Sequence, residues 1–186
     1  MRTAVKRAVF LDRDGTLIVE RNYLSRPDQV VLFPDTGPSL RRLAEAGFRL
    51  FIVTNQSGIG RGYYTLEDMH AVHRRLGEML QEHGVQFDRI YFAPEAPEEP
   101  SRGRKPSPQF LFDARDEFGL DLARSYMVGD KLLDVECGRN AGTRLSLLVK
   151  TGYGADVIRA GEPLPRESRV VENLTEAADL ILADAG

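Results

Sequence analysis

The 186-residue sequence contains one cysteine, Cys137, three histidines and no tryptophan. A single cysteine cannot form an internal disulfide bond or supply the ligands of a four-cysteine zinc site. No apolar run in the chain approaches the roughly 20 residues that a membrane-spanning helix requires. The basic N-terminal stretch leads directly into a strand pattern, so it does not resemble a signal peptide. We therefore expect a cytoplasmic protein.

The chain also lacks a strong excess of charge, because its formal net charge is −3 and both signs are mixed. This balance argues against binding to nucleic acids through bulk charge and against a polybasic membrane surface. Hydrophobic residues make up 42% of the sequence, which is enough to fill one sizeable core. We expect one domain over residues 1–186, acting as a monomer on a small molecule.

Short apolar runs alternate with amphipathic helical patterns along the chain. Continuous apolar runs of this length are typical of strands buried on both faces, as in a parallel sheet. The alternation predicts an α/β fold, a doubly wound three-layer sandwich with a mainly parallel sheet. The predicted strands are 8–12, 49–55, 89–93, 126–130 and 145–149, and the predicted helices are 38–46, 65–83, one opening at 107–108, 132–140 and 174–183.

Ligands of such sheets bind beyond the carboxyl ends of the strands. The first strand ends in "FLDRDGTL", where Asp12 and Asp14 are spaced i and i+2. Aspartate and glycine also form ordinary turns, but this spacing directs two carboxylates to one small site. Crowded carboxylates favour a divalent cation, and oxygen ligands fit Mg²⁺ best.

Polar residues follow two further strands and one loop. "VTNQSG" bunches hydroxyl and amide donors before Gly58, which indicates either a polar loop or a phosphate cradle. "GRKPSP" places two cations ahead of a proline and a helix start. "VGDKLLD" places acids at a helix N-terminus, where the helix dipole alone would favour them. The residues of interest are Thr54, Asn55, Gln56, Ser57, Arg104, Lys105, Asp130, Lys131 and Asp134.

The four segments, in this order and each near a predicted strand end, resemble the four motifs of the haloacid-dehalogenase (HAD) superfamily of aspartate-nucleophile phosphatases. The likeness is strongest to the histidinol-phosphate and heptose-bisphosphate phosphatase branch and extends from about Val9 to Gly152. It implies a HAD-like fold and a phosphoric monoester hydrolase. The short intervals between the motifs leave no room for a cap domain, so we expect an open site.

The resemblance implies a role for each motif residue. Asp12 is the nucleophile that forms an aspartyl-phosphate, and Asp14 is the general acid and base. Mg²⁺ is held by Asp12, by the backbone carbonyl of Asp14 and by Asp130, with Asp134 just beyond these ligands. The remaining motif residues bind the phosphoryl group or the substrate; they are Thr54, Asn55, Gln56, Ser57, Lys105 and Lys131.

Loops must select the substrate of an open site. The first loop carries the branch's sugar-contact region, here Glu20, Arg21, Asn22 and Tyr23. Arg61 is a candidate for a second anionic group, and Arg104 matches a substrate-recognition arginine. The segments "GIGRGYYT" and "GDKLLD" favour the heptose members, which implies hydrolysis of the C7 phosphate of D-glycero-D-manno-heptose 1,7-bisphosphate. Histidinol phosphate, or another small sugar or polyol phosphate, is the alternative substrate.

The chain departs from this branch in the loop after the third strand, where relatives carry a structural zinc. The positions of the zinc ligands are occupied by Ala93, Glu95, Ser101 and Gly103. His70 and His73 are spaced i and i+3, a pair we interpret as part of a helix surface. We therefore expect no zinc, and we expect Pro94, Pro97 and Pro100 to restrict the loop instead.

A non-enzymatic alternative is a phosphoacceptor receiver domain, which is also doubly wound. Receivers require an acceptor aspartate after the third strand, but that strand ends in "FAPEAP" here. The receiver interpretation is therefore disfavoured, as is a catalytically silent scaffold, because every expected catalytic position is filled.

Overall fold

The computed structural model describes residues 6–185. Its centre is a six-stranded sheet, parallel throughout, with the strand order β3-β2-β1-β4-β5-β6. The strands are β1 (Arg7–Leu11), β2 (Phe48–Asn55), β3 (Arg89–Ala93), β4 (Tyr126–Gly129), β5 (Leu145–Val149) and β6 (Ser168–Val171).

Six α-helices and two short 3₁₀ helices connect these strands. The α-helices are α1 (Thr36–Glu45), α2 (Leu66–Gln81), α3 (Gln109–Phe118), α4 (Leu132–Ala141), α5 (Gly154–Ala160) and α6 (Leu174–Asp184). The 3₁₀ helices are Pro27–Gln29 and Leu122–Arg124. Among the described residues, no helix is both long enough and apolar enough to cross a membrane.

The two faces of the sheet form separate hydrophobic cores. Alternate residues of β1 point to opposite faces, so Val9 packs with α1, α2 and α6, whereas Phe10 packs with α3 and α4. The predicted doubly wound three-layer sandwich is therefore confirmed. Between β1 and α1 the described chain forms only a short 3₁₀ helix and isolated bridges, so no cap domain is inserted there.

All five predicted strands and five predicted helices are present, with shifts of a few residues at their ends. Two elements were not predicted, the edge strand β6 and the helix α5. The helix predicted to open at 107–108 has Pro108 as its N-cap, and the Ser107 hydroxyl accepts a 3.4 Å hydrogen bond from the Gln109 amide. Helix α2 begins with a capping box between Thr65 and Asp68, with reciprocal hydrogen bonds of 2.8 and 3.1 Å.

From β1 the chain adds β2 and β3 on one side of the sheet, and then adds β4, β5 and β6 on the other side of β1. The strand order therefore reverses between β1 and β4. A parallel sheet opens a crevice at such a switch point. Asp12 directly follows β1 and Asp130 directly follows β4, so both carboxylates lie at this crevice.

Candidate active site

Three aspartates meet at the switch point. Asp12, Asp130 and Asp134 each offer a carboxylate oxygen, and these oxygens lie within 4.8 Å of one another. All three side chains are buried. Taking several carboxylates out of water without a cation is costly, so this cluster is arranged for a positive charge.

Lys105 supplies one such charge from the loop before α3. Its ammonium lies 2.7 Å from Oδ1 of Asp12 and 2.5 Å from Oδ1 of Asp134. Burial opposes the charged ammonium, but the two carboxylates outweigh it and raise the pKa of Lys105 above its usual value. The lysine is therefore charged, and it bridges the end of β1 to α4.

Asp130 retains one oxygen without a partner. Its Oδ2 accepts a 2.8 Å hydrogen bond from the Tyr153 amide, whereas the buried Oδ1 has no hydrogen-bond partner among the described residues. Burial, followed by the charges of Asp12 and Asp134, raises the pKa of Asp130 to about 8. An unpartnered buried carboxylate oxygen beside a second carboxylate fits a hard divalent cation such as Mg²⁺.

Two glycines allow this close approach to Asp130. Gly15 has a φ of +81° and Gly152 a φ of +54°, a region that L residues with side chains rarely adopt. A Cβ atom at either position would lie 2.2 Å from Oδ2 of Asp130. Any larger residue would therefore displace the carboxylate from the cluster.

The carboxylate of Asp14 is not a member of the three-aspartate cluster. Arg13 donates to both of its oxygens, at 3.0 and 3.1 Å, and Gln56 donates to Oδ2 at 3.0 Å. Asp14 still lines the cavity that Asp12 lines. This leaves the side chain available to a leaving group or a water molecule, which is compatible with a role as acid and base.

Gln56 uses its whole amide within the protein. Nε2 donates to Asp14 and, at 2.8 Å, to Thr54, while Oε1 accepts from Arg13 at 3.0 Å and from Tyr64 at 2.6 Å. The Gln56 side chain therefore has no free N–H to donate to a phosphate, which does not support its predicted role in phosphate binding. The geometry instead makes Gln56 a support for the Asp14 and Thr54 side chains.

Asn55 likewise contacts the chain around Lys105. Its Oδ1 accepts from the Lys105 amide at 3.0 Å, and its Nδ2 donates to the Lys105 carbonyl at 3.2 Å. Because both bonds involve the backbone of Lys105, Asn55 fixes the loop that carries the lysine. One N–H of its amide remains for a ligand, and Asn55 lines the cavity.

A cavity of about 350 Å³ opens above these residues. Most of the predicted substrate residues line it, namely Glu20, Asn22, Tyr23, Thr54, Asn55, Gln56, Ser57, Arg104, Lys105 and Lys131, whereas Arg21 does not. Arg61 is exposed and does not line the cavity, so the structure does not bring it to the site as predicted. Its charge nevertheless contributes, after burial, to lowering the pKa of Arg104.

Sequence reasoning did not identify several residues of this cavity. Arg13, Tyr64 and Tyr153 line it, yet none was predicted to act there. Arg13 lies between Asp12 and Asp14 in the first motif, so the motif could have indicated it. Burial raises the pKa of Tyr64 to about 12, so its hydroxyl is a neutral donor to Gln56.

The interpretation of His70 and His73 as a helix surface is wrong for His73, which is only 8% exposed. Its ring packs near Phe92, with the two centroids 6.4 Å apart. Burial, together with the positive charges of Arg13 and His70, lowers the pKa of His73 to about 3.

The three-aspartate cluster is the only group of three or more metal-ligating side chains among residues 6–185.

Comparisons with known proteins agree with this geometry. A family model described as HAD-hydrolase-like matches residues 103–177. The D-glycero-D-manno-heptose-1,7-bisphosphate 7-phosphatase of Thermosynechococcus vestitus is 37% identical over 94% of each chain. A D-glycero-beta-D-manno-heptose-1,7-bisphosphate 7-phosphatase of Pseudomonas aeruginosa is 34% identical over 94% of this chain and 97% of its own.

A solved structure gives the same result. The D,D-heptose 1,7-bisphosphate phosphatase of B. bronchiseptica, complexed with magnesium and phosphate, aligns with a TM-score of 0.90 and 31% identity, over 96% of this chain and 99% of that chain. The fold and the site thus define a HAD-like phosphatase. Within that class, the chain belongs to the family of heptose-1,7-bisphosphate 7-phosphatases.

Proposed function

We propose that this phosphatase hydrolyses the C7 phosphate of D-glycero-D-manno-heptose 1,7-bisphosphate in a Mg²⁺-dependent reaction. The observation that carries the chemistry is the buried contact of Asp12 with Lys105, next to the unpartnered oxygen of Asp130. The substrate rests on the relatives named above, which act on this sugar and align over nearly the whole chain. We extend the proposal to residues 1–186 as one domain with an open site.

In the first step, a carboxylate oxygen of Asp12 attacks phosphorus and the bond between phosphorus and the C7 oxygen breaks. Asp14 donates a proton to the departing oxygen, which leaves as an alcohol. Lys105 lies beside the attacking carboxylate, where its charge opposes the negative charge that spreads over the phosphoryl oxygens. Thr54, whose hydroxyl accepts from Gln56, keeps its own proton for a phosphoryl oxygen.

In the second step, a water molecule attacks the phosphorus of the aspartyl-phosphate and the bond to Asp12 breaks. Asp14, now a carboxylate, accepts a proton from the water, so inorganic phosphate forms, Asp12 is restored as a carboxylate and Asp14 is restored as a protonated acid. Arg13 and Gln56 hold Asp14 through both steps. Mg²⁺, held by Asp12, Asp130 and the Asp14 carbonyl, would screen the phosphate charge from the nucleophile.

Receiver domains have a different order of strands around the acceptor, with the third strand beside the first. Here β3 lies at the edge of the sheet, and β1 lies between β2 and β4. The sheet therefore argues against the receiver alternative. We also propose a monomer, since one chain supplies every residue of the site, and a cytoplasmic protein, since its one cysteine is a buried free thiol.

A phosphate-release panel with Mg²⁺ tests the substrate. It contains both anomers of heptose 1,7-bisphosphate, histidinol phosphate, fructose 1,6-bisphosphate and an aryl phosphate. We expect the heptose bisphosphate to give the highest kcat/KM and Asp12→Asn to abolish turnover of every substrate. A preference for histidinol phosphate would overturn the substrate, and an active Asp12→Asn variant would overturn the mechanism.

We further propose that the loop over residues 94–103 holds no zinc. Two of the four positions where relatives carry ligands are joined by a hydrogen bond, in which Ser101 Oγ donates to Glu95 at 2.7 Å. Metal analysis of the purified protein tests this proposal. One tightly bound zinc per chain would contradict it.

A further inference from the structure

The segment that follows β5 contributes Tyr153 to the lining of the cavity, although it belongs to none of the four motifs. Thr151 Oγ1 donates a 2.6 Å hydrogen bond to the Gly15 carbonyl. The amide of Tyr153 donates to Asp130, as described above. A Cβ atom on Gly152 would lie 2.6 Å from the Cα of Gly15, so the segment packs closely on the loop after β1.

The ring of Tyr153 contacts a predicted substrate-binding cation. The ammonium of Lys131 lies 4.6 Å from the centre of this ring. Such cation–π contacts attract the ammonium, and they limit the many rotamers that a lysine otherwise samples. The Lys131 ammonium is also 3.9 Å from a carboxylate oxygen of Glu20. The ring and Glu20 are thus both close to a lysine that lines the cavity.

The hydroxyl of Tyr153 contacts the turn around Asn22, which also lines the cavity. It donates a 3.1 Å hydrogen bond to Oδ1 of Asn22. Asn22 and Tyr23 have φ values of 49° and 60°, a left-handed conformation that costs energy for residues other than glycine. Glu20 also stabilises this turn, since its carboxylate accepts from the Asn22 amide at 2.8 Å. Tyr153 thus joins the β5–α5 connection to the turn around Asn22, and Tyr153 and Asn22 both line the cavity.

We propose that Tyr153 is a positioning residue for substrate binding in this phosphatase. Its ring holds the ammonium of Lys131 toward the cavity, and its hydroxyl keeps the loop around Asn22 in the conformation that contacts the substrate. The inference rests on the proposed function for the identity of that substrate. It assigns to the β5–α5 connection a role that the four motifs do not include.

Two variants separate the ring from the hydroxyl. Tyr153→Phe keeps the ring and loses the bond to Asn22, while Tyr153→Leu loses both and keeps the backbone amide that contacts Asp130. We expect Leu to raise the KM for heptose 1,7-bisphosphate about fivefold, with kcat changed less than twofold. We expect the KM of Tyr153→Phe to lie much closer to the wild-type value than to that of Tyr153→Leu. Equal KM values for the Leu variant and the wild type would overturn the proposal.

A double-mutant cycle shows whether the ring acts through Lys131. The difference in KM between Tyr153→Phe and Tyr153→Leu reports the effect of the ring alone. This difference is measured once with Lys131 present and once with Lys131→Met. We expect the difference in KM to vanish with Lys131→Met. An unchanged difference would mean that Leu acts by a general structural effect, which would overturn the ring's role. The hydroxyl is tested in the same way, by comparing wild type and Phe with and without Asn22→Ala.

A measurement without turnover separates this inference from the proposed function. A ring beside Lys131 shifts the NMR signals of its ε-methylene protons upfield, and we expect this shift in wild type and Phe but not in Leu. If wild type hydrolyses an aryl phosphate but not heptose bisphosphate, the proposed substrate fails while the NMR comparison still decides the ring contact. Identical ε-methylene signals in all three proteins would overturn the positioning of Lys131. Matching thermal unfolding curves show that Leu, at a site 37% exposed, retains the fold.

Discussion

The ammonium of Lys105 lies 2.7 Å from a carboxylate oxygen of Asp12, and both side chains are almost fully buried. The same ammonium contacts Asp134, so one lysine compensates two buried carboxylates. This arrangement links stability to the proposed mechanism, because the charge that stabilises the folded state also lies beside the carboxylate of the proposed nucleophile, Asp12.

We expect Lys105→Met to lower kcat at least a hundredfold, because the charge opposite the phosphoryl oxygens is lost. It should also lower the free energy of unfolding by about 3–5 kcal/mol, since buried carboxylates lose their partner. Phosphate release and urea unfolding measure the two effects. Adding Asp134→Asn should restore part of the stability and none of the activity. A Lys105→Met variant with near-normal kcat would contradict the assigned role.

The raised pKa of Asp130 predicts a metal-dependent effect of pH on stability. Its pKa of about 8 in the folded chain lies above the value of about 4 for an unfolded aspartate. Between these values the folded state binds the extra proton, so the metal-free protein loses stability as the pH rises from about 4 to 8. Mg²⁺ requires the deprotonated carboxylate, so it should stabilise more at pH 8 than at pH 6.

Thermal unfolding at pH 5, 6.5 and 8, with Mg²⁺ or with a chelator, tests this prediction. Asp130→Asn is the matched variant, because it keeps the shape of the side chain and removes the titration. We expect it to flatten the pH dependence of the metal-free protein and to remove most of the stabilisation by Mg²⁺. The same pH slope in both proteins would assign the effect to other groups.

Asp14 predicts an effect that depends on the leaving group. A sugar alkoxide needs a proton as it departs, whereas an aryl oxide leaves readily without one. Asp14→Asn should therefore lower kcat/KM about 10²–10⁴-fold for the sugar phosphate, and by a smaller factor for an aryl phosphate in the first step. Single-turnover rates with both substrates measure this difference. Equal losses for the two would indicate that Asn disturbs the site as a whole.

The parts of the fold and site that could be predicted were those next to buried apolar runs in the sequence. Asp12 and Asp130 follow strands buried on both faces, so hydrophobic runs ending in acids located them. The edge strand β6 has two exposed residues out of four, and most of α5 is exposed, so neither has an apolar pattern to detect. Tyr153 follows a correctly predicted strand, β5. Ligands of such sheets bind beyond the carboxyl ends of the strands, so the position of Tyr153 alone could have suggested a place in the site. No charged motif surrounds it, and the sequence analysis therefore did not select it.

Hydrogen-bond partners were the least predictable part of the site. The sequence placed Gln56 and Asn55 in a donor-rich loop, but it could not show that Gln56 would be saturated by Asp14, Thr54 and other neighbours. Such saturation depends on side chains brought together from distant segments, such as Tyr64 and Arg13. The loop after β3 shows the same limit, because its composition did not reveal that Ser101 would bond to Glu95.

His73 predicts a loss of stability in acid. Its pKa of about 3 in the folded chain lies below the value of about 6.5 in the unfolded chain. The unfolded state therefore binds a proton first, and stability that is present above pH 6.5 is lost as the pH falls toward 3. At pH 4.5 this loss should be roughly 3 kcal/mol. Its Nε2 has no partner among the described residues, so leucine is a tolerable replacement.

Urea unfolding at pH 7, 5.5 and 4.5 measures this loss. His73→Leu should show a smaller decrease in the free energy of unfolding than wild type over this range. His83→Gln, just beyond the end of α2, is the control and should keep the wild-type pH dependence. If His73→Leu and wild type lose stability equally, His73 is not the group that titrates.

Ser101 predicts how the loop after β3 places Arg104. The hydroxyl of Ser101 donates to Glu95 and accepts a 3.2 Å hydrogen bond from the Arg104 amide. The guanidinium of Arg104 in turn donates to the Glu95 carbonyl at 3.3 Å. Because these bonds join both ends of the loop to the arginine, Ser101→Ala should raise the KM for heptose bisphosphate several-fold and leave kcat almost unchanged.

Ser107→Ala is the matched control, since that hydroxyl lies in the same connection and donates to the Arg102 carbonyl rather than contacting Arg104. We expect its KM to stay within twofold of wild type. The prolines of the loop limit its freedom in the unfolded chain. If Ser101→Ala and Ser107→Ala gave the same KM, the hydrogen bonds of Ser101 would not position Arg104, and proline restriction would be the better explanation of the loop's order.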